Sequence, residues 1–193
     1  MNKKVIKFLQ SFVAIPLLAT SMPLNGLVST PSSIAILGQN NNSVMEATLI
    51  TAEEVKVRKE YAEAIDIYFE KINAPLAGYG MKFVIEAEKN NLDWRLLPAI
   101  AMAESTGGIH ACKTVPNMPF GYGSCKFGYS SIDKAIEAVA KSLGGNNEKT
   151  AKWYAGKSTK QILKTYNPDS IAPGYTDKVM RIMDKIHPES NLS

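Results

Sequence analysis

Along most of this chain the hydrophobic positions recur with the period of an α-helix. From Glu53 to Ile72, the apolar residues Val57, Tyr61, Ile65, Tyr68, Phe69 and Ile72 fall at helical spacing, with Lys and Glu between them. The pattern predicts an amphipathic helix over residues 53–73, packed on the domain or extending from it as a stalk, and ended by Asn73, Ala74 and Pro75. A second helix is expected over Leu76–Asn90, stopped by Asn90 and Asn91. Asp93 is placed to cap a third helix that runs to Glu104 or Ser105 and is closed by Gly107 and Gly108. Pro98 sits too deep for an undisturbed first turn, so this helix is expected to bend or to start late. Further on, Ser130 or Ser131 caps a helix to Leu143, and Gly144 with Gly145 stops it. Ser158 and Gln161 form a capping box that opens a helix to Tyr166. The last helix is expected over Gly174–Ile186, closed by His187 and Pro188.

Residues 106–130 break this period. They hold five glycines, two prolines and both cysteines, with short aromatic pieces (Phe120 to Tyr122, Phe127 to Tyr129) between turns. This composition reads as a small loop or β-hairpin lobe inserted after the third helix. The expected fold class is therefore mainly α, without internal repeats.

The two ends of the chain differ from its middle. Met1 to Lys7 carries three lysines and no acid, and Phe8 to Leu24 is apolar apart from Gln10, Ser11, Thr20 and Ser21. Residues 1–28 thus read as a signal peptide. They are also almost long enough for an uncleaved N-terminal anchor. No cysteine lies near residue 20, which excludes a lipoprotein anchor. Residues 29–52, rich in Ser, Thr, Asn and Gln, read as a flexible linker. Residues 74–187 form the expected main domain, and 188–193 a short tail. The 193 residues allow one ordinary domain beside these segments.

Removing the leader changes the reading of charge. Lys3, Lys4 and Lys7 are three of the 22 basic residues, which leaves 19 against 18 acidic ones. The remainder is near neutral and carries no nucleic-acid footprint. The membrane would be met only through an uncleaved leader, and the chain is expected to act as a monomer in an exported location (extracellular, periplasmic or cell-envelope). In such a chain Cys112 and Cys125 are expected to form a disulfide worth about 2–3 kcal/mol, with two free thiols as the alternative. No metal is implied, since only His110 and the remote His187 could join the cysteines. No cofactor is implied either, because no phosphate-cradling glycine motif is present.

One residue stands out for chemistry. Glu104 ends the most apolar run of the domain, Leu96 to Ala103. Burying an unpaired carboxylate is expensive. Apolar surroundings and a helix C-terminus both disfavour its ionised form, so its pKa should rise. A carboxyl that keeps its proton near neutral pH can act as a general acid. The plain alternative is a Glu at an exposed helix end. Phe120, Tyr122, Phe127 and Tyr129, in the lobe just beyond it, are candidates to line a saccharide groove, and each also suits the core of a small lobe. Asn117 is a candidate partner for an N-acetyl group, and also an ordinary turn residue.

The stretch Leu92-Asp-Trp-Arg-Leu-Leu-Pro-Ala-Ile-Ala-Met-Ala-Glu-Ser105, then Asn117-Met-Pro-Phe-Gly-Tyr-Gly123, then Tyr166-Asn167-Pro168 and Tyr175, resembles the lysozyme-like superfamily. Within it the chain is similar to soluble lytic transglycosylases and to bacterial endo-β-N-acetylglucosaminidases, over roughly Ala74 to Ile186. The resemblance implies a lysozyme-like helical domain that cleaves peptidoglycan glycan strands at β-1,4 bonds between N-acetylated amino sugars. Glu104 would protonate the glycosidic oxygen. Ser105 would hydrogen-bond near it or support the helix end. Asn117, Phe120 and Tyr122 would shape the sugar-binding lobe, and Tyr166 would face the reacting sugar.

Two departures inform the mechanism. The Gly-Leu-Met-Gln stretch common in transglycosylases is replaced by Asn117 to Gly123, and no Asp or Glu lies between Glu104 and Asp133. Standard glycosidase routes use two carboxyl groups about 5–9.5 Å apart. Here a partner would have to come from Asp133, Glu137 or Asp169, all of which look like helix-cap or surface charges. A single-acid route fits better, with the substrate's N-acetyl group stabilising the anomeric centre, and a lytic transglycosylase is slightly preferred over a hydrolase. The rival from another class is a non-catalytic glycan-binding module of the same fold. A stalk-type adhesin and a cysteine protease are weaker readings, since no sustained heptad is present and the cysteines are better explained as a bridge.

Overall fold

Thr51 caps the first helix of the described residues. The structure, a computed structural model, describes residues 51–188. The expected leader (1–28), nearly all of the linker (29–52) and all of the tail but Pro188 lie outside the described residues. In α1 (Ala52–Glu70) the Thr51 hydroxyl accepts from the Glu54 N–H at 3.2 Å, and the Glu54 carboxylate accepts from the Thr51 N–H at 2.8 Å. The face carrying Ala62, Ile65 and Phe69 is buried, and Tyr61 stacks on Trp94 with ring centroids 4.3 Å apart. The helix is therefore packed on the domain and is not a free stalk.

The second helix, α2 (Gly80–Lys89), begins later than its hydrophobic pattern predicts. Gly78 takes a left-handed φ of +87°, and the Asp66 carboxylate on α1 accepts the N–H groups of both Gly78 and Gly80 at 2.8 Å. The helix start is thus satisfied from across the fold. At Gly80 a Cβ would sit 2.0 Å from the Ala62 carbonyl oxygen, so only glycine permits this crossing of α1 and α2. Glu86 is buried on α2 between Lys82 (2.9 Å) and Lys89 (3.0 Å). Burial raises its pKa, but the two ammonium groups outweigh that and hold it below the usual carboxyl value.

The third helix, α3 (Leu96–Ser105), starts late, as Pro98 requires. Pro98 occupies its third position, where no intrahelical N–H bond is needed. Asp93 does not cap it. Its carboxylate instead accepts the Arg95 N–H at 2.9 Å and the Arg95 guanidinium at 2.7 Å, holding the preceding turn. Leu96 through Ala101 are all buried, so α3 is the central rod of the domain. It is packed by α2, by α4 (Ile132–Leu143) and by α7 (Tyr175–Lys185). Ser131 caps α4. A short helix α5 (Ala151–Tyr154), which the pattern does not single out, leads to α6 (Thr159–Tyr166), opened by the expected box of Ser158 and Gln161. In turn α6 packs against α7.

Residues 106–131 form the lobe, which contains no strand among the described residues. Asn117, Gly121, Gly123, Ser124 and Cys125 all have positive φ, and this winding is incompatible with a hairpin register. A short 3-10 turn covers Tyr122–Cys125. Cys112 and Cys125 form a disulfide that closes the lobe. Phe120 plugs into the core beneath it, edge-on to Phe83 at 6.3 Å. The architecture is thus mainly α, with a loop lobe after α3.

The disulfide encloses every lobe residue from Lys113 to Ser124. Reduction, or the double change of Cys112 and Cys125 to Ser, is expected to lower unfolding free energy by about 2–3 kcal/mol in urea titrations. An unchanged midpoint would show that the lobe is held by packing alone.

Candidate active site

The site is built where α3 ends. Thr106 and Gly107 take left-handed φ values of +53° and +65°, and their N–H groups return to the carbonyls of Met102 and Ala101. A Cβ on Gly107 would lie 2.7 Å from the Phe69 ring, so no larger residue can make this exit. Ser105 is buried. Its hydroxyl donates to the Pro119 carbonyl at 2.6 Å and accepts the Gly108 N–H at 2.9 Å. One side chain thereby ties the end of α3 to the lobe.

Glu104 is half-buried beside this junction. Two residues on the first turn of α7 reach it or its helix. Tyr175 donates its hydroxyl to Glu104 Oε1 at 2.6 Å, and Lys178 donates to the Ala103 carbonyl at 2.9 Å. Gly121, with φ +61°, brings the lobe backbone against the other oxygen, where a Cβ would lie 2.8 Å from Oε2. Among the described residues no donor hydrogen-bonds Oε2, whereas Oε1 is held by Tyr175.

Burial raises the Glu104 pKa above the usual carboxyl value, while the Tyr175 hydrogen bond and the Lys178 charge oppose that rise. The tyrosines nearby are likewise held from ionisation. Burial, and then the charge of Glu104, push the hydroxyls of Tyr175 and Tyr166 far upward, so both remain donors. Burial pushes Tyr154, on α5, up to about 12. The rings of Tyr175 and Tyr166 stack at 6.1 Å, and that of Tyr166 lies 6.1 Å from Tyr122. The site thus holds a carboxyl whose protonated form is favoured by burial, with Oε1 bonded to Tyr175 and no donor on Oε2 among the described residues.

The sequence-predicted residues take distinct places. Glu104, Tyr122 and Tyr166 lie on or beside the cluster. Tyr166 is half-buried at the end of α6 and donates its hydroxyl to the Phe120 carbonyl. The Phe120 side chain is fully buried, so it shapes the lobe from within. Asn117, in a left-handed turn, donates its amide to the Tyr129 carbonyl at 2.9 Å and braces the lobe. Ser105 supports the helix end. Of the candidate partner acids, Glu137 is bonded to Lys134 at 2.9 Å, and no second carboxylate of the described residues is among the groups that shift Glu104. Gly121 and Lys178 carry no role in the sequence reading, and Tyr175 only marks a motif there. Their signals are a glycine between two aromatics and a Tyr-x-x-Lys turn, neither of which reveals a destination. An open groove between α1 and α2, lined in part by Glu63, Asp66 and Glu70, contains none of these residues.

No protein-family model, curated protein or solved structure matches the chain.

Lys178 supplies a positive charge that favours the ionised form of Glu104. Its replacement by Met should therefore raise the Glu104 pKa. Carbon-13 NMR titration of the Glu104 carboxyl should show the midpoint moving upward; an unmoved or lowered midpoint would contradict this electrostatic account.

Proposed function

We propose that the chain is an enzyme that cleaves β-1,4 bonds between N-acetylated amino sugars in cell-wall peptidoglycan, with Glu104 as general acid and then general base. The observation that carries this reading is the asymmetric setting of Glu104. Burial raises its pKa, Tyr175 fixes Oε1, and Oε2 beside Gly121 is left to a ligand. The similarity to lysozyme-like enzymes supplies the substrate class.

In this scheme the protonated carboxyl donates to the glycosidic oxygen as the bond to the anomeric carbon breaks. The substrate's N-acetyl carbonyl supports the cation-like centre, since no second carboxylate is among the groups acting on Glu104. Glu104, now ionised, takes the proton of the sugar's own 6-hydroxyl, which closes a 1,6-anhydro ring. That no second carboxylate among the described residues acts on Glu104 favours this lytic route over hydrolysis. Tyr175 acts as a positioning residue for the carboxyl, and Tyr122 and Tyr166 flank the sugar. The reading places the protein outside the cytosol, with which the Cys112–Cys125 disulfide is compatible. No helix among the described residues is long and apolar enough to cross a membrane.

The test is incubation of the full-length protein with purified peptidoglycan and mass spectrometry of the soluble products. Muropeptides with 1,6-anhydro ends, absent with Glu104→Gln, are expected. Reducing ends lost in the variant would make it a hydrolase. Retained glycan binding with no product from either protein would leave only a binding module. In the same assay Gly121→Ala should lower turnover at least about tenfold, because its Cβ displaces Oε2, while costing about 1 kcal/mol of stability for the left-handed backbone. Full activity in Gly121→Ala would remove Gly121 from the site.

A further inference from the structure

The lobe after α3 has two halves that are held differently. Residues 116–120 are tied to their surroundings. The Pro119 carbonyl accepts from the buried Ser105 hydroxyl, the Phe120 carbonyl from Tyr166, and the Pro116 carbonyl from the Tyr129 N–H at 3.1 Å. The Met118 and Phe120 side chains are fully buried. Residues 121–125 have no such ties. None of Tyr122 to Cys125 is buried. Among the described residues, the hydrogen bonds of this segment close within residues 121–126, as from the Ser124 N–H to the Gly121 carbonyl and from the Lys126 N–H to the Gly123 carbonyl.

The backbone of this outer half is wound against preference. Gly121 (φ +61°), Gly123 (φ +67°), Ser124 (φ +56°) and Cys125 (φ +55°) are all left-handed, and Ser124 and Cys125 are consecutive residues that carry a Cβ. Such a winding persists only where the surrounding structure fixes it. At one end Gly121 follows the anchored Phe120. At the other, the bridge to Cys112 holds Cys125, and both cysteines are half-buried rather than sealed in the core. Between these ends the Tyr122 ring lies 6.1 Å from that of Tyr166, and the Gly121 backbone closes on Glu104, where a Cβ would sit 2.8 Å from Oε2. The segment that the bridge holds is therefore one wall of the site.

We infer that the Cys112–Cys125 bridge is a redox gate on the Glu104 site. With the bridge closed, Gly121 and Tyr122 stand beside the carboxyl. A dithiol opens it by thiol–disulfide exchange. Its thiolate attacks one sulfur of the bridge, its second thiol resolves the mixed disulfide, and two electrons and two protons pass to Cys112 and Cys125 as the dithiol closes to a cyclic disulfide. Ser124 and Cys125 then relax out of the left-handed region, and residues 121–125 leave Glu104 to water. The helices and the anchored half of the lobe stay in place, because Ser105, Met118 and Phe120 hold without the bridge. A chain in a thiol-reducing compartment is in this open, idle state, and oxidation on export sets the wall. The loss of turnover rests on the glycan-cleaving reading above, whereas the movement of the wall does not.

The experiment compares the full-length protein before and after treatment with excess dithiothreitol, and again after reoxidation with a small disulfide, oxidised glutathione. Helical circular dichroism, the carbon-13 titration midpoint of the Glu104 carboxyl and muropeptide release from peptidoglycan are measured in each state. On reduction the helical signal should stay, the midpoint should fall toward the ordinary carboxyl value, and release should fall at least about tenfold; the last two should return on reoxidation. The double change Cys112→Ser and Cys125→Ser should give the reduced values with or without the dithiol, which separates the bridge from other effects of the reagent. A Glu104 midpoint that reduction leaves unmoved overturns the gate, as does release that is equal in oxidised and reduced protein. Loss of the helical signal on reduction also overturns it, since the bridge would then hold the domain rather than the wall. If the oxidised protein releases no muropeptides while the midpoint moves, the gate stands and the glycan-cleaving reading falls.

Discussion

Ser105 sits where three segments meet without access to water, and its hydroxyl joins them. It donates to the Pro119 carbonyl in the lobe, accepts the Gly108 N–H of the chain leaving α3, and lies within 3.1 Å of the Ala101 carbonyl in the helix itself. Leaving any of these groups unpaired in the interior would cost about 1–3 kcal/mol. Because the lobe is bound to this point, Gly121 arrives beside Glu104 at a set distance. The tight exit through Gly107 against Phe69 performs the same function from the other side. The placement of the carboxyl is thus a consequence of how a buried helix ends.

On Glu104 itself, burial competes with two groups from α7. Burial favours the protonated form, whereas the Tyr175 hydroxyl and the Lys178 ammonium favour the ionised one. The net rise means that the folded domain binds this proton more tightly than the unfolded chain does. Above its raised pKa the folded state carries the full cost of an ionised, half-buried carboxylate. Below the ordinary carboxyl value that cost is absent. The stability penalty therefore sets in above the ordinary carboxyl value and is complete above the raised one. Glu86 makes the contrast. It is more buried than Glu104, but Lys82 and Lys89 hold it ionised, so it serves the packing of α2 and has no proton to offer.

The elements that local chemistry controls were legible in the residues. Ser131, and Ser158 with Gln161, start helices through bonds within one turn, and Gly107 and Gly145 end them where a left-handed residue is needed, whereas the Thr51 and Glu54 box falls in the segment that reads as linker and at its edge. Pro98 announced a late start to α3. The start of α2 was not legible, because its N–H groups are satisfied by Asp66, which lies 12 and 14 residues away in sequence. Asp93 looked like a cap by position, but it has a guanidinium partner two residues on that the capping pattern does not weigh. Phe120 and Phe127 are both lobe aromatics flanked by glycine, yet one is fully buried and the other 44% exposed.

By itself the sequence determined a mainly helical domain, a glycine-rich lobe after α3, and one acid at the end of an apolar run. Each of these follows from spacing or composition over a few residues. Only the tertiary structure decided which neighbours that acid would have. Tyr175 and Lys178 lie 71 and 75 residues away in sequence from the groups they bond, Glu104 and Ala103, and Tyr166 reaches the Phe120 carbonyl across 46. Such contacts depend on the packing of α7 against α3 and α6, and no local pattern encodes them.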